Sequence, residues 1–187
     1  VDIRQWDKQH LRRQLGLVLQ DVFLFSGDIA SNITLGDARI GEARMLEAAR
    51  RAQIAEFIEK LPTGYREEVQ ERGSTLSQGQ RQLLSFARAL AFDPRILILD
   101  EATSSVDTRT ELSIQTALQE LLKERTAIIV AHRLSTIKNA DRILVIHKGE
   151  IWEQGTHDEL LSHDGLYARL YELQYRLQEG AVAEPAV

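Results

Sequence analysis

The stretch "RILILDEATSSVDTRTELSIQTALQELLKERTAIIVAH", residues 95–132, decides the fold class. It contains the apolar run "ILILD" (96–100), a helical pattern over 108–124, and a second apolar run, "TAIIVAH" (126–132). Continuously apolar runs on either side of a helix are typical of parallel strands that are buried on both faces. We therefore predict a βαβ unit here and an α/β fold with right-handed crossovers for the chain.

The rest of the chain extends this alternation of strands and helices. "LGLVLQ" (15–20) predicts another strand, and "RILVIHKGEIWEQG" (142–155) predicts a hairpin because a Gly turn separates two apolar runs. Helical patterns cover 41–61, 77–92 and 158–178. The expected architecture is a mostly parallel sheet with flanking helices.

One part of the chain fits the alternation badly, because residues 21–75 contain short helical pieces and no convincing strand. We predict that 21–92 form a helical subdomain inserted into an α/β core made of 1–20 and 93–178. Residues 179–187 are small, contain Pro and lack periodicity, so a disordered tail is expected there.

Composition excludes several classes of protein. The chain has 187 residues, 43% of them hydrophobic and 27% charged, as in an ordinary globular protein, and its apolar runs fall short of the roughly 18 residues that cross a bilayer. A net charge of −5 with five scattered Lys argues against nucleic acid as the main partner. The absence of Cys rules out a disulfide framework, thiolate zinc sites and a Cys nucleophile.

Polar side chains stand at the ends of three predicted strands. Asp100 and Glu101 follow "ILIL", His132 follows "IIVA", and Gln20 closes "LGLVLQ". Each has a plain structural explanation by itself, as a turn cap, a structural His or a strand terminus. Active sites of open α/β sheets lie at strand carboxyl ends, however, and adjacent carboxylates suit Mg²⁺ and the orientation of water. Together these residues favour a catalytic site.

"LSQGQ" (76–80) has the features of a helix start that can bind an anion. Ser77 is placed as an N-cap, with Gln80 three residues later as in a capping box. That explanation leaves out Gly79, because Gly in a helix costs about 1 kcal/mol relative to Ala unless something approaches the backbone closely. We therefore expect a phosphate at this helix N-terminus.

The apolar segment "VFLF" (22–25) follows Gln20 directly. These four residues have two interpretations, as ordinary core residues or as an exposed docking surface for another subunit.

Taken in order, these motifs resemble the ATP-binding cassette of an ABC transporter over nearly the whole chain. "LVLQD" (17–21) is similar to the family's Q-loop, "LSQGQ" (76–80) to its signature and "ILILDE" (96–101) to its Walker B strand with the catalytic Glu. "SSVD" (104–107) resembles the D-loop, and "AHRLST" (131–136) the switch His. Five motifs in the family's order and spacing are highly specific.

The context of these motifs resembles the exporter branch of the family, which includes bacterial multidrug and lipid exporters. The segments that carry this resemblance are "FLFSGDIASNI" (23–33), "ERG" (71–73) and "AHRLSTI" (131–137). The fold implied is a P-loop NTPase-type ABC ATPase core. The implied function is ATP hydrolysis that drives export across a membrane.

The resemblance also implies roles in the chain's own nucleotide site, with ATP and Mg²⁺ as cofactors. Gln20 would contact Mg²⁺ or the attacking water and relay nucleotide state to the membrane domain. Asp100 would hold Mg²⁺, largely through water, and Glu101 would be the general base. His132 would contact the γ-phosphate.

A second set of residues would act across a cassette dimer. The resemblance implies that Ser77, Gln78, Gly79 and Gln80 bind the nucleotide of an opposing cassette, and that Asp107 lies in the dimer interface. Implied partners are a second cassette, in a homo- or heterodimer, and a transmembrane domain fused upstream. The implied location is the cytoplasmic face of the membrane.

Two departures from the family pattern qualify this interpretation. Gln78 occupies the first Gly position of the commonest signature, which the exporter branch tolerates. No G-x-x-x-x-G-K-[ST] loop occurs in the 187 residues, and the family places that P-loop, with further strands, upstream of residue 1. Because the loop cradles the phosphates, we expect this chain to be a truncated cassette that is inactive and of low stability by itself.

Two other functions remain open from the sequence. One is a soluble ABC ATPase of the DNA-repair or chromosome class, which "FLFSGDIASNI" (23–33) and the lack of a coiled-coil insertion disfavour. The other is a non-catalytic partner that supplies its signature motif to another subunit.

Overall fold

The structure is a computed structural model that describes residues 2–70, 73, 75–100, 107–131 and 134–173. The chain divides into two compact units, Val1–Val130 and Ala131–Val187.

The first unit contains a parallel sheet and the helices that cover one of its faces. Its helices and strands are, in order, a 3₁₀ turn (Ile3–Gln5), α1 (Lys8–Arg13), β1 (Leu15–Val18), β2 (Gly27–Asp28), α2 (Ile29–Thr34), α3 (Glu42–Arg51), α4 (Ala55–Glu59), a 3₁₀ turn (Gly64–Arg66), β3 (Glu68–Val69), α5 (Gln78–Phe92), β4 (Ile96–Asp100), α6 (Thr108–Leu122) and β5 (Thr126–Val130).

The main sheet has the strand order β1–β4–β5, and both pairs are parallel. Its register places Val18 beside Leu99, and Asp100 beside Val130. The crossover from β4 to β5 passes through α6, which confirms the predicted βαβ unit. Gly16 lets β1 approach the turn before β4, because a Cβ at this position would lie 2.5 Å from Pro94 Cγ.

Helix α5 is the centre of the core in the first unit. It packs against α2, α3, α6 and β1, and buries nine of its residues. The helix ends at Asp93, which adopts a left-handed conformation and accepts a hydrogen bond of 2.5 Å from Arg125. The Arg125 side chain is only 7% exposed, so this pair fixes the end of α5 to the start of β5.

The other face of the sheet is exposed, which corrects the prediction that the strands are buried on both sides. Leu17, Ile98 and Ile128 form one row across the three strands and are 62%, 37% and 60% exposed. The residues that point the opposite way, such as Leu97 and Leu99, are buried. The prediction from apolar runs was wrong for this chain because the described helices of the first unit leave this face of the sheet uncovered.

Residues 21–75 differ in two ways from the prediction. They contain a two-residue ladder, β2 with β3, whose strands are too short to produce an alternating pattern in the sequence. The helix predicted over 41–61 is two helices, because Gln53 has a positive φ of 59° and ends α3 in a left-handed cap.

The second unit contains α7 (Leu134–Lys138), β6 (Ile143–His147), β7 (Glu150–Gly155) and α8 (His157–Ser162), followed by a helix at 166–173 that we label α9. Strands β6 and β7 pair antiparallel, which confirms the predicted hairpin. Lys148 and Gly149 both have positive φ in its turn, as in a type I′ turn. The Glu153 carboxylate accepts hydrogen bonds from the N–H groups of Leu166 and Tyr167 and so caps α9.

The proposed division into 1–20, 21–92 and 93–178 stays a prediction, and the tail at 179–187 lies outside the described residues. Within the described part of the chain, no helix has the length and apolar character needed to cross a membrane.

Candidate functional site

The carboxyl edge of the main sheet brings together two of the predicted site residues. Asp100 is the last residue of β4 and is partly buried, while the exposed Gln20 lies two residues beyond the end of β1. Because β1 and β4 are parallel neighbours with Val18 beside Leu99, both polar side chains stand at the same end of the sheet. The predicted residues Glu101 and His132 lie outside the described part of the structure.

The N-terminus of α5 has the predicted capping box. Ser77 Oγ accepts a hydrogen bond from Gln80 N at 3.2 Å, and Ser77 N donates to Gln80 Oε1 at 2.8 Å. In the first turn this leaves the N–H groups of Gln78 and Gly79 without an intrahelical acceptor. Gly79 is buried in the helix, so its small size also has a packing explanation. Anion binding at this turn stays a prediction.

An open cleft of about 250 Å³ separates the segment after β1 from the first turns of α5. Its lining residues are Gln20, Asp21, Val22, Gln78, Arg81 and Gln82. The candidate Mg²⁺ ligand Gln20 and the signature residue Gln78 therefore both line this cleft.

Asp107 is exposed and is the N-cap of α6, where its carboxylate accepts a hydrogen bond of 3.0 Å from Thr110 N. Hydrogen bonds from the side chain and the N–H of Thr110 hold the pKa of Asp107 below its usual range. Capping of α6 alone explains why an Asp stands at this position. The role of Asp107 in a dimer interface stays a prediction.

The model of the family described as ABC transporter matches residues 1–104, more than half of the chain. The chain belongs to the ABC transporter family. This finding confirms the resemblance drawn from the five motifs.

The relatives of this ABC transporter chain are much longer proteins. It is 55% identical over 172 residues to a probable multidrug resistance ABC transporter ATP-binding/permease protein of Bacillus subtilis (strain 168), covering 92% of this chain and 26% of that protein. It is 49% identical over 175 residues to an ATP-dependent lipid A-core flippase of Syntrophus aciditrophicus (strain SB), covering 94% and 29%. The chain thus spans between a quarter and a third of the curated relatives it matches.

The solved structure of a bacterial Atm1-family ABC exporter with ATP bound is also similar to this ABC transporter chain. The TM-score is 0.83 with 44% sequence identity, and the match covers 100% of this chain and 31% of the other. This likeness confirms the predicted fold class, an ABC ATPase core with a mostly parallel sheet and flanking helices.

The donor atoms at the sheet edge fit the Mg²⁺ that the family implies. Asp100 offers carboxylate oxygens and Gln20 an amide oxygen, which are the hard ligands that Mg²⁺ binds through few direct contacts and several waters. Among the residues that the structure describes, no group of three or more His, Asp or Glu is arranged to hold a metal ion.

Sequence reasoning missed two polar residues that organise the segment after β1. Asn32 is completely buried, and Arg88 hydrogen-bonds to it from α5, 56 residues later in the chain. The available signal was Arg88 itself, a charged residue within the apolar run "SFARAL" (85–90).

Proposed function

We propose that this chain is part of the ATP-hydrolysing cassette of a membrane exporter. The observation that carries the proposal is the placement of Gln20 and Asp100 at one sheet edge, in a chain with five ABC motifs in family order. The names of two relatives, a multidrug resistance transporter and a lipid flippase, support an exporter rather than a soluble ATPase.

In this proposal the sheet edge holds the chain's own nucleotide. Asp100 and Gln20 hold Mg²⁺, which when bound neutralises charge on the β- and γ-phosphates. Glu101 follows Asp100 directly and accepts the proton of the attacking water as general base. His132 donates a hydrogen bond to a γ-phosphate oxygen and stabilises the charge that develops there.

The signature turn acts in a second site. Ser77 Oγ and the N–H groups of Gln78 and Gly79 bind the γ-phosphate of a nucleotide held by an opposing cassette, while Gln80 keeps Ser77 in place through the capping box. Asp107 lies in the interface between the two cassettes. The transmembrane domain belongs to the same protein, as in the ATP-binding/permease relative, and the cassette lies on the cytoplasmic face of the membrane.

The test uses the full-length protein that contains this chain, reconstituted in lipid nanodiscs. Glu101→Gln should lower the kcat for ATP hydrolysis about 10²–10⁴-fold, because a general base is lost. Binding of MgATP should persist, since the amide keeps the shape of the side chain and removes a negative charge near the phosphates.

Glu56→Gln provides the matched control, because Glu56 is an exposed residue of α4. This variant should hydrolyse ATP like the wild type. A Glu101→Gln protein that retains more than a third of wild-type turnover would show that the proposed base is wrong.

A further inference from the structure

Arg81 lies at the end of the first turn of α5, and its side chain reaches back to the turn that precedes the helix. Its Nη1 donates to the Leu76 carbonyl at 2.7 Å and to the Gly73 carbonyl at 3.4 Å. A Cβ at Gly73 would lie 3.1 Å from Arg81 Cδ, so the stem of Arg81 passes close over a residue that has no side chain. The guanidinium therefore holds the backbone that leads into Ser77.

The peptide group between Leu76 and Ser77 is held on both sides by side chains of α5. Its carbonyl accepts from Arg81 Nη1, and its N–H donates to Gln80 Oε1 at 2.8 Å. Because a peptide group is planar, these two bonds fix the orientation of the whole plane. Ser77 itself is extended, with φ −62° and ψ 161°. The direction of its hydroxyl therefore depends on Arg81 as well as on the capping box.

Stability of the helix alone does not favour an Arg at this position. The N-terminal end of a helix carries partial positive charge, so a nearby cation is unfavourable by a few tenths of a kcal/mol or more. The first turn of α5 contains no acidic residue that would offset this charge. Arg81 also lines the cleft with Gln20 and Gln78, which places it beside the residues of the proposed reaction.

We propose that Arg81 is a positioning residue: by holding the peptide before Ser77, it directs Ser77 Oγ toward the γ-phosphate of the nucleotide in the opposing cassette. This role rests on the proposed function, in which Ser77 contacts that phosphate. Arg81 acts through Ser77 and needs no contact of its own with the nucleotide.

Hydrogen–deuterium exchange on the nucleotide-free, full-length protein in lipid nanodiscs tests the structural part of this role. Arg81→Met keeps an unbranched apolar stem and removes every donor. The N–H groups of Leu76, Ser77 and Gln80 are hydrogen-bonded at this turn. In a peptide that covers 75–80 they should exchange about tenfold faster in the variant, because local opening becomes easier. Exchange at 97–99 in β4 should stay unchanged, which shows that the core is intact.

A double-mutant cycle with Ser77→Ala tests whether Arg81 acts through Ser77. With Ser77 present, Arg81→Met should lower kcat/KM for ATP hydrolysis about tenfold, because the hydroxyl is no longer aimed at the phosphate. In the Ser77→Ala background the same substitution should lower the residual kcat/KM by less than about twofold, because the group that it positions is already gone. A direct effect of the Arg81 charge on the phosphate would persist in that background.

Two further variants complete the experiment. Arg44→Met makes the same substitution at an exposed position of α3 and should match the wild type in exchange and in turnover. Arg81→Lys keeps the charge and one donor nitrogen, so it should lose only about threefold in kcat/KM with Ser77 present and nothing measurable in the Ser77→Ala background. It carries the cycle if Arg81→Met does not fold.

The outcomes separate this role from the proposed function. If Ser77→Ala alone retains the wild-type kcat/KM, the phosphate contact at Ser77 is wrong and the role of Arg81 falls with it. If Ser77→Ala lowers turnover but the Arg81 variants cost the same factor in both backgrounds, or nothing in either, the proposed function stands and positioning by Arg81 is overturned. Exchange at 75–80 that is equal in Arg81→Met and the wild type would overturn it as well.

Discussion

At the scale of single residues, Ser77 has two tasks that substitution can separate. Its hydroxyl caps α5, and in the proposed function it also contacts a phosphate. Asp is as good an N-cap as Ser, whereas Ala lacks the acceptor and costs about 1 kcal/mol. We therefore predict that Ser77→Asp keeps the wild-type melting temperature while Ser77→Ala lowers it, as measured by thermal unfolding of the full-length protein.

Both variants should lose ATP hydrolysis, for different reasons. Ala removes the hydroxyl that binds the phosphate, and Asp places a negative charge against it. Steady-state turnover of the full-length protein is the measurement. If Ser77→Asp hydrolyses ATP with wild-type kcat and KM, Ser77 is only a helix cap.

The contact between Arg88 and Asn32 could not be predicted from the sequence, whereas the cap of α5 could. The capping box of Ser77 and Gln80 was predictable because a spacing of three residues fixes its geometry. The hydrogen bond of Arg88 to Asn32 depends on the packing of α2 against α5, across 56 residues of sequence. No local sequence pattern indicates a contact between residues so far apart in the chain. A charged residue among buried positions of α5 indicates only that a polar partner exists.

At the scale of helices and strands, local patterns predicted the long elements better than the short ones. The βαβ unit at β4, α6 and β5 and the hairpin of β6 and β7 follow from apolar runs and a Gly turn, and the structure contains both. The ladder of β2 and β3 could not be predicted, because two-residue strands depend on a partner distant in sequence. Whether a sheet face is exposed depends on the elements that pack against it, and the composition of the strands does not identify those elements.

Helix α6 gives a prediction about pH. Hydrogen bonds from Thr110 hold the pKa of Asp107 below its usual range in the folded chain, so this carboxylate stabilises the fold at pH values above its unfolded pKa of about 4. This stabilisation by the Asp107 carboxylate is lost as the pH falls below about 4 and passes through the lower pKa that the group has in the folded state. Asp107→Asn keeps a capping oxygen but does not titrate.

Near pH 7, the free energy of unfolding should therefore change with pH in nearly the same way in the wild type and in Asp107→Asn. Between about pH 4 and pH 2 the wild type should lose more stability than Asp107→Asn. Urea unfolding across this range is the measurement. Other carboxyls with lowered pKa, such as Asp37 and Glu159, titrate in both proteins and cancel in the difference. Parallel pH curves for the two proteins would contradict the assignment.

At the scale of the whole molecule, the exposed sheet face determines whether the isolated 187-residue chain associates with other copies of itself. The row of Leu17, Ile98 and Ile128 crosses all three strands and is more than a third exposed at each position. A contiguous apolar face of this kind associates with other copies of itself or with another covering surface. We predict that the isolated chain self-associates at micromolar concentrations, as measured by sedimentation velocity.

Adjacent residues of β5 point to opposite faces and provide a matched pair for this prediction. Ile128 is 60% exposed, whereas Ile129 packs against the core. Because Thr suits strands as well as Ile does, Ile128→Thr should reduce self-association and leave the melting temperature nearly unchanged. Ile129→Thr places a hydroxyl in the core and should lower stability by about 1–3 kcal/mol without reducing association. A wild-type chain that sediments as a monomer and unfolds cooperatively would show that the exposed face is tolerated in water.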